Sequence, residues 1–106
     1  MNELEKVITE GGDERIELKE NGFKFITGVP DSIFKNLINE FIKDDSFEHI
    51  ISNNEGEACS IAAGNYISSG DFPIVYMQNS GLGNCINPIT SLTDQYLYSI
   101  PIMFFI

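Results

Sequence analysis

Two glutamates near the middle of the chain are the strongest candidates for a catalytic or ligand-binding role. Glu55 and Glu57 stand one residue apart, just ahead of a predicted helix, where a carboxylate can act as an acid, a base or a hydrogen-bond partner of a ligand. A simpler interpretation is that both acids interact with the positive end of the helix dipole, worth about 0.3–1 kcal/mol each. Their position alone favours the simpler interpretation and does not choose between the two acids.

Two further segments carry small or polar residues after predicted strands. The segment Asn79-Ser80-Gly81-Leu82-Gly83-Asn84 could bring backbone N–H groups close to an anion. It has neither the P-loop nor the G-x-G-x-x-G spacing, so a tight turn is the simpler interpretation. The segment Gly28-Val29-Pro30-Asp31 ends on an aspartate that is expected to cap a helix and could also project into a site.

The remaining reactive side chains are few. His49 is the single histidine, and it has no acid or cysteine neighbour at metal-ligand spacing, which predicts a surface or strand-edge role. Cys59 and Cys85 fall among apolar helix positions and are predicted to be core thiols. We therefore expect no metal site within this chain and no disulfide framework.

Strands and helices are predicted to alternate along the chain around these residues. The first twenty-one residues predict one helix or two short ones, with Leu4, Val7 and Ile8 on one face and Gly11-Gly12-Asp13 as an interruption. Apolar runs predict strands over 23–27, 49–52, 73–78 and 100–106. Periodic runs predict three helices between them, with the apolar positions Ile33, Phe34, Leu37, Ile38, Phe41 and Ile42 in the first, Ala58, Cys59, Ile61, Ala62, Ala63, Tyr66 and Ile67 in the second, and Leu82, Cys85, Ile86, Ile89, Leu92 and Tyr96 in the third. The second helix is expected over Glu57 to Ser69, and the third must start near Asn87 or be kinked at Pro88.

This order predicts an α/β fold, a three-layer parallel sheet with helices on both faces. In such folds ligands lie beyond the carboxyl ends of the strands. The three segments described above all occupy such positions, so function is expected there.

Composition narrows the classes of function. The chain has 106 residues and a net charge of −10, which is the size of one small domain and a poor match for nucleic acid or an anionic membrane surface. No stretch is long and apolar enough to span a membrane, and the first residues do not resemble a secretory signal, so a cytoplasmic location is expected. From Ala58 to Ile106 only Asp71 and Asp94 are charged, which predicts that this half is buried or covered by another subunit or another piece of chain.

Taken together, the three segments resemble the N-terminal, pyrimidine-binding domain of thiamine-diphosphate-dependent decarboxylases. The resemblance covers about residues 21–106, whereas residues 1–20 match poorly. Within the family the chain looks most like phosphonopyruvate decarboxylases, with the α subunits of sulfopyruvate decarboxylases as near relatives. The residues that carry the resemblance are Phe25-Ile26-Thr27-Gly28-Val29-Pro30-Asp31-Ser32, Asn54-Glu55-Gly56-Glu57-Ala58, Ala62-Ala63-Gly64, Val75-Tyr76-Met77-Gln78-Asn79-Ser80-Gly81-Leu82-Gly83-Asn84, Asn87-Pro88, Ser91-Leu92 and Tyr98-Ser99-Ile100-Pro101.

The resemblance implies a role for each segment. In the family a glutamate hydrogen-bonds N1′ of the aminopyrimidine and promotes the imino tautomer, which takes the proton from C2 of the thiazolium ring. The family pattern of Glu, Ala three residues on and Gly nine residues on is met by Glu55, Ala58 and Gly64, so Glu55 rather than Glu57 is expected to be the catalytic residue. The resemblance further implies that Gly28, Val29, Pro30 and Asp31 line the substrate side, and that Asn79, Ser80, Gly81, Leu82, Gly83 and Asn84 border the cofactor.

The resemblance also implies partners and cofactors. The family needs a second domain whose Gly-Asp-Gly…Asn motif holds Mg²⁺ and the diphosphate of thiamine diphosphate, and no Gly-Asp-Gly occurs here. We expect residues 1–106 to form a single pyrimidine-binding domain truncated after Ile106 and inactive by itself. The second domain is expected from the same gene or from a partner subunit, in an enzyme that is a homo-oligomer.

The function implied by the resemblance is the decarboxylation of 3-phosphonopyruvate to phosphonoacetaldehyde and CO₂ in phosphonate biosynthesis. Three alternatives stay open: an α-type subunit of sulfopyruvate decarboxylase, an inactive truncated fragment, and, judged from the fold class alone, a flavodoxin-like nucleotide binder. The residues do not distinguish phosphonopyruvate from sulfopyruvate as the substrate, because residues 44–106 contain no Lys or Arg with which to recognise a phosphonate or a sulfonate.

Overall fold

Strands and helices alternate along the chain as the sequence predicts. The computed structural model describes residues 13–32 and 35–106. In chain order the elements are α1 (Asp13–Glu20), β1 (Phe23–Gly28), α2 (Lys35–Lys43), β2 (Glu48–Ile51), α3 (Glu55–Ser69), β3 (Phe72–Tyr76), a 3₁₀ helix (Asn79–Cys85), α4 (Ile86–Pro88), a π-helical turn (Ile89–Thr93) and β4 (Met103–Phe105).

The strands form one parallel sheet in the order β2-β1-β3-β4. Thr27 in β1 is in register with Ile50 of β2 and Val75 of β3, and Val75 is in register with Phe104 of β4. The two central strands are buried on both faces and are apolar almost throughout, as parallel strands under helices must be.

Helices cover both faces of this sheet. On one face, Ile26 and Ile74 form a core with Ile38 and Phe41 of α2. On the other face, Val75 forms a second core with small residues of α3. The predicted three-layer parallel fold is therefore confirmed.

Helix α3 owes its position to its small side chains and its limits to two local signals. Ala58, Cys59, Ala62 and Ala63 are buried, which lets the helix lie close to the sheet. Asn54 caps its N-terminus, and Gly70 ends it at φ 80°, a conformation that glycine adopts without strain. The predicted small-residue face is confirmed, but Ile67, predicted on the same face, is 71% exposed.

Several predicted boundaries were wrong, most of them on the carboxyl side of β3. The glycine-rich segment after β3 is a 3₁₀ helix rather than a tight turn. The chain stays helical through α4 and a π-helical turn, and the helix type changes around Pro88. This change of helix type takes the place of the start near Asn87 or the kink at Pro88 that the sequence predicted. Ile86 and Tyr96 were predicted on a buried face and are 63% and 85% exposed. Strand β4 has 3 residues rather than seven, and α3 starts at Glu55, so both glutamates lie in its first turn instead of ahead of it.

Some predictions fall outside the described residues. These include the apolar face of Leu4, Val7 and Ile8, and two apolar positions of the predicted helix between the first two strands, Ile33 and Phe34. The described part of α2 begins at Lys35, so capping of this helix by Asp31 stays a prediction.

The charge-poor half of the chain is only partly buried. Tyr96, Leu97 and Tyr98 form an exposed run after the π-helical turn. Within the described residues, no helix combines the length and the apolar character needed to cross a membrane.

Candidate functional site

The carboxyl ends of β1 and β2 are tied together, which brings the predicted site segments to one edge of the sheet. The backbone N–H of Ser52 donates to the carbonyl oxygen of Gly28 at 2.9 Å. The hydroxyl groups of Thr27 and Ser52 are 2.6 Å apart and buried. The segment after β1 and the start of α3 are therefore neighbours in space.

Glu57 has a structural task at the N-terminus of α3. The side chain of Asn54 accepts a hydrogen bond from the backbone N–H of Glu57 at 2.9 Å. The carboxylate of Glu57 accepts in turn from the backbone N–H of Asn53 at 3.1 Å. This reciprocal arrangement is close to a capping box. The tertiary structure thus separates two acids that their position in the sequence left equivalent.

Glu55 points instead towards the 3₁₀ helix, and its carboxylate is held there. The side-chain amide of Asn84 donates to Glu55 Oε2 at 3.0 Å. Gly81 lies directly against the same side chain, because a Cβ at residue 81 would be 2.6 Å from both Cγ and Cδ of Glu55 and would overlap Oε1. We call Glu55, Gly81 and Asn84 the Glu55 cluster.

A second close approach supports this cluster. A Cβ at Gly56 would be 2.9 Å from the backbone oxygen of Asn84, so α3 and the 3₁₀ helix meet at two glycines. Gly56 was not among the predicted site residues. The signal that could have found it is a glycine inside the first turn of a helix, where it costs stability unless a neighbour needs the space.

The other predicted cofactor-side residues belong to the same 3₁₀ helix as Gly81 and Asn84. Ser80 Oγ donates to Gln78 Oε1 at 3.4 Å, and Leu82 packs against the core beside α3. Asn79 and Gly83 are exposed, and a Cβ at Gly83 would meet nothing within 4 Å. Two of the six residues predicted to border a cofactor, Gly81 and Asn84, lie against Glu55.

On the substrate side, the loop after β1 starts beneath a buried tyrosine. A Cβ at Gly28 would be 2.6 Å from Tyr76 Cδ2, so the tyrosine ring lies over this glycine. Burial raises the pKa of Tyr76 to about 12, and the nearby charge of Asp31 adds to the effect. Val29 and Asp31 are partly buried and Pro30 is exposed.

His49 has a buried partner that the sequence did not indicate. It lies on the edge strand β2, as predicted, but its Nε2 is 2.7 Å from Tyr76 Oη and the two rings stack with centroids 5.7 Å apart. Burial lowers the pKa of His49, which favours the neutral imidazole. No local pattern links residues 49 and 76, because the contact exists only through the order of the strands.

Both cysteines are buried, which confirms the prediction of core thiols. Burial raises the pKa of Cys59 to about 12, and burial also raises the pKa of Cys85. Neither thiol is suited to act as a nucleophile in the folded chain. Among residues 13–32 and 35–106, no three His, Cys, Asp or Glu side chains come together as a metal site.

Comparison with known protein families places this geometry in context. The family model of the N-terminal TPP binding domain of thiamine pyrophosphate enzymes matches residues 16–106. This chain belongs to that family. The resemblance seen in the sequence is thereby confirmed, and the match begins before the stretch over which the resemblance was first seen.

Individual relatives of this thiamine pyrophosphate enzyme domain are similar over part of their length. Phosphonopyruvate decarboxylase of Streptomyces hygroscopicus is 42% identical over 71 residues, which is 67% of this chain and 18% of that protein. The sulfopyruvate decarboxylase subunit alpha of Methanococcus maripaludis is 38% identical over 87 residues, 82% of this chain and 50% of that protein. The same subunit of Methanocaldococcus jannaschii is 41% identical over 75 residues, 71% of this chain and 44% of that protein. The chain thus spans between 18% and 50% of the length of these curated relatives.

Proposed function

We propose that this chain is the pyrimidine-binding part of a thiamine-diphosphate-dependent decarboxylase of 2-oxo acids, and that Glu55 is its catalytic carboxylate. The observation that carries the proposal is the Glu55 cluster, in which a carboxylate at a helix start is oriented by the Asn84 amide over a glycine. Family membership supports the cofactor, and the names of the relatives support the reaction.

The cluster fits the aminopyrimidine of thiamine diphosphate in its chemistry. The Asn84 amide engages Oε2 of Glu55, which leaves Oε1 for a ring nitrogen. Gly81 offers no side chain that would displace this oxygen. When bound, thiamine diphosphate supplies the electron sink for the electron pair left behind as CO₂ departs.

The chain's own residues orient a carboxylate and hold or move a proton at its Oε1. A hydrogen bond to a charged group contributes about 1.5–3 kcal/mol in net terms, with the lower end expected here because Glu55 is only half-buried. The same bond fixes which oxygen faces the ligand. Glu57 does not compete for this role, because its carboxylate accepts from the Asn53 backbone.

We further propose that residues 1–106 form one pyrimidine-binding domain, and that Mg²⁺ and the diphosphate are bound by a second domain in the same gene or in a partner subunit. The net charge of −10 is a poor match for a diphosphate, which supports binding of that group elsewhere. Relatives named as an alpha subunit support a partner. In this proposal the complete enzyme is a cytoplasmic oligomer.

For the substrate we propose 3-phosphonopyruvate, with sulfopyruvate as the alternative, because the relatives are named for these two acids. The cations that recognise the phosphonate or sulfonate must come from the second domain or from lysines early in this chain. Lys24 and Lys35 are both exposed and are the candidates within it. Assay of the complete enzyme on both acids decides between them, with the larger kcat/KM identifying the substrate.

The experiment that tests the role of Glu55 compares two glutamine variants of the complete enzyme, meaning this chain together with its second domain. Glu55→Gln removes the group that carries the proton, so C2–H exchange of thiamine diphosphate and decarboxylation should both fall by roughly 10²- to 10⁴-fold. Glu57→Gln is the matched control, because its amide oxygen can still accept from the backbone of Asn53. Equal exchange rates in the Glu55→Gln variant and the unaltered enzyme would contradict the proposal.

A further inference from the structure

We propose that His49 and Tyr76 are a positioning pair for the substrate side of the site: the tyrosine hydroxyl, held by the histidine, fixes the loop from Gly28 to Asp31. This inference rests on the proposed function, which places that loop beside the 2-oxo acid. It assigns a role to two residues that lie outside the Glu55 cluster.

The ring of Tyr76 extends across the sheet over β1. Gly28 ends β1, and its register partners are Tyr76 on β3 and Ile51 on β2. His49 stands two residues before Ile51, so His49 and Tyr76 point to the same face on either side of β1. A Cβ at residue 28 would overlap the backbone oxygen of Tyr76 and would be 2.7 Å from its Cγ, so both the backbone and the ring of Tyr76 lie against a residue without a side chain.

The hydroxyl of Tyr76 pairs with His49 on the far side of β1. Tyr76 is fully buried at 0% exposure, and its hydroxyl meets Nε2 of His49 at 2.7 Å. A buried hydroxyl needs a partner, because an unpaired one costs about 1–3 kcal/mol. Phenylalanine would fill the same volume without this need, and the neighbouring core positions are apolar: Ile26, Ile38, Phe41, Ile74 and Phe105. Packing alone therefore does not explain a hydroxyl at residue 76.

Tyr76 also interacts with the loop from Gly28 to Asp31. Burial raises the pKa of Tyr76, and the charge of Asp31 at the other end of the loop raises it further, so the loop and the phenol interact electrostatically. Gly28, where the loop begins, lies under the same ring. Tyr76 therefore contacts the start of the loop at Gly28, and the charge of Asp31 at the end of the loop acts on its phenol.

The pair lies on the opposite face of the sheet from the helix that carries Glu55. Tyr76 belongs to the core beside α2, whereas Val75 belongs to the core beside α3, the helix that carries Glu55. Loss of the hydroxyl should therefore disturb the placement of the substrate and leave the activation of the cofactor unchanged.

The test is Tyr76→Phe in the complete enzyme, with His49→Gln as a second variant and Tyr66→Phe as the matched control. Tyr66 stacks on Phe72 with centroids 6.0 Å apart, near the start of β3 and away from the site. We expect both test variants to raise KM for the 2-oxo acid by about twofold to tenfold, the range that one neutral hydrogen bond supplies. The C2–H exchange rate of thiamine diphosphate should stay as in the unaltered enzyme, and Tyr66→Phe should change neither value.

A second readout does not depend on activity. In the 106-residue chain, Tyr76→Phe should shift the backbone amide NMR signals of Val29 and Asp31 and leave that of Asn84 in place. If the complete enzyme decarboxylates neither acid, the proposed function fails, while these amide signals still decide whether the pair fixes the loop. Unmoved loop signals together with an unchanged KM would overturn the positioning role, and so would a loss of C2–H exchange at constant KM.

Discussion

Replacing Gly81 with alanine tests the Glu55 cluster more sharply than removing the carboxylate does, because it leaves every polar group in place. The new Cβ would lie 2.6 Å from Cγ and Cδ of Glu55, whereas ordinary contact begins at 3.4 Å. Oε1 of Glu55 would be closer still, so the side chain must retreat by about 1 Å. A retreat of this size strains or breaks the 3.0 Å hydrogen bond between Asn84 and Oε2.

The expected result is a loss of function without a comparable loss of stability. Displacing a catalytic group by about 1 Å can cost a factor of about 10², so C2–H exchange of thiamine diphosphate in the complete enzyme should fall by up to that factor. The atoms that must move belong to a flexible side chain, and alanine favours a helical backbone over glycine by up to about 1 kcal/mol. We therefore expect the free energy of unfolding of the 106-residue chain to change by less than about 1 kcal/mol.

The assays are C2–H exchange on the complete enzyme and urea unfolding of the chain, joined by the NMR signals of the Asn84 side-chain amide. Gly83→Ala is the structural control for the last two measurements, since a Cβ at residue 83 meets nothing within 4 Å. It should leave the Asn84 amide signals in place, whereas Gly81→Ala should move them. An unaltered exchange rate and unmoved Asn84 signals in the Gly81→Ala enzyme would show that close packing on Gly81 does not hold Glu55 in place.

Two further predictions concern stability. Thr27→Val leaves the hydroxyl of Ser52 buried without its 2.6 Å partner and should lower the free energy of unfolding by about 1–3 kcal/mol in urea titrations. The double variant Thr27→Val/Ser52→Ala should recover part of that loss, and a strictly additive double variant would show that the pair is not coupled. Burial acts to raise the pKa of Asp44, but hydrogen bonds from Ser46 and Lys19 outweigh it and hold the pKa at about 2, below the ordinary 3.8. Since the folded-state pKa is the lower one, this stabilisation is present above about pH 4 and is lost as pH falls towards 2, by about 1 kcal/mol after allowance for solvent screening. Asp44→Asn should lack that part of the acid dependence, and an identical pH profile for both chains would count against it.

Local patterns in the sequence were sufficient for the order of the elements. Alternation of apolar runs and helical periodicity predicted a parallel α/β sheet with helices on both faces, and the buried small residues of α3 followed from the same pattern. The boundaries after β3 did not follow, because a segment with two glycines and a proline has weak local preference and takes its pitch from packing against α3.

The family is recognisable from the sequence, and the resemblance to its Glu, Ala, Gly motif pointed to Glu55, since identity and spacing are properties of the chain alone. Only the tertiary structure decided what surrounds that glutamate. Asn84 and Glu55 are 29 residues apart, and His49 and Tyr76 are 27 apart, so neither contact leaves a periodic trace in the sequence. The first contact arises because the start of α3 and the 3₁₀ helix both follow carboxyl ends of parallel strands, and the second because β2 and β3 flank β1. Glycines at positions 28 and 81 allow a tyrosine ring and a carboxylate to lie against the backbone.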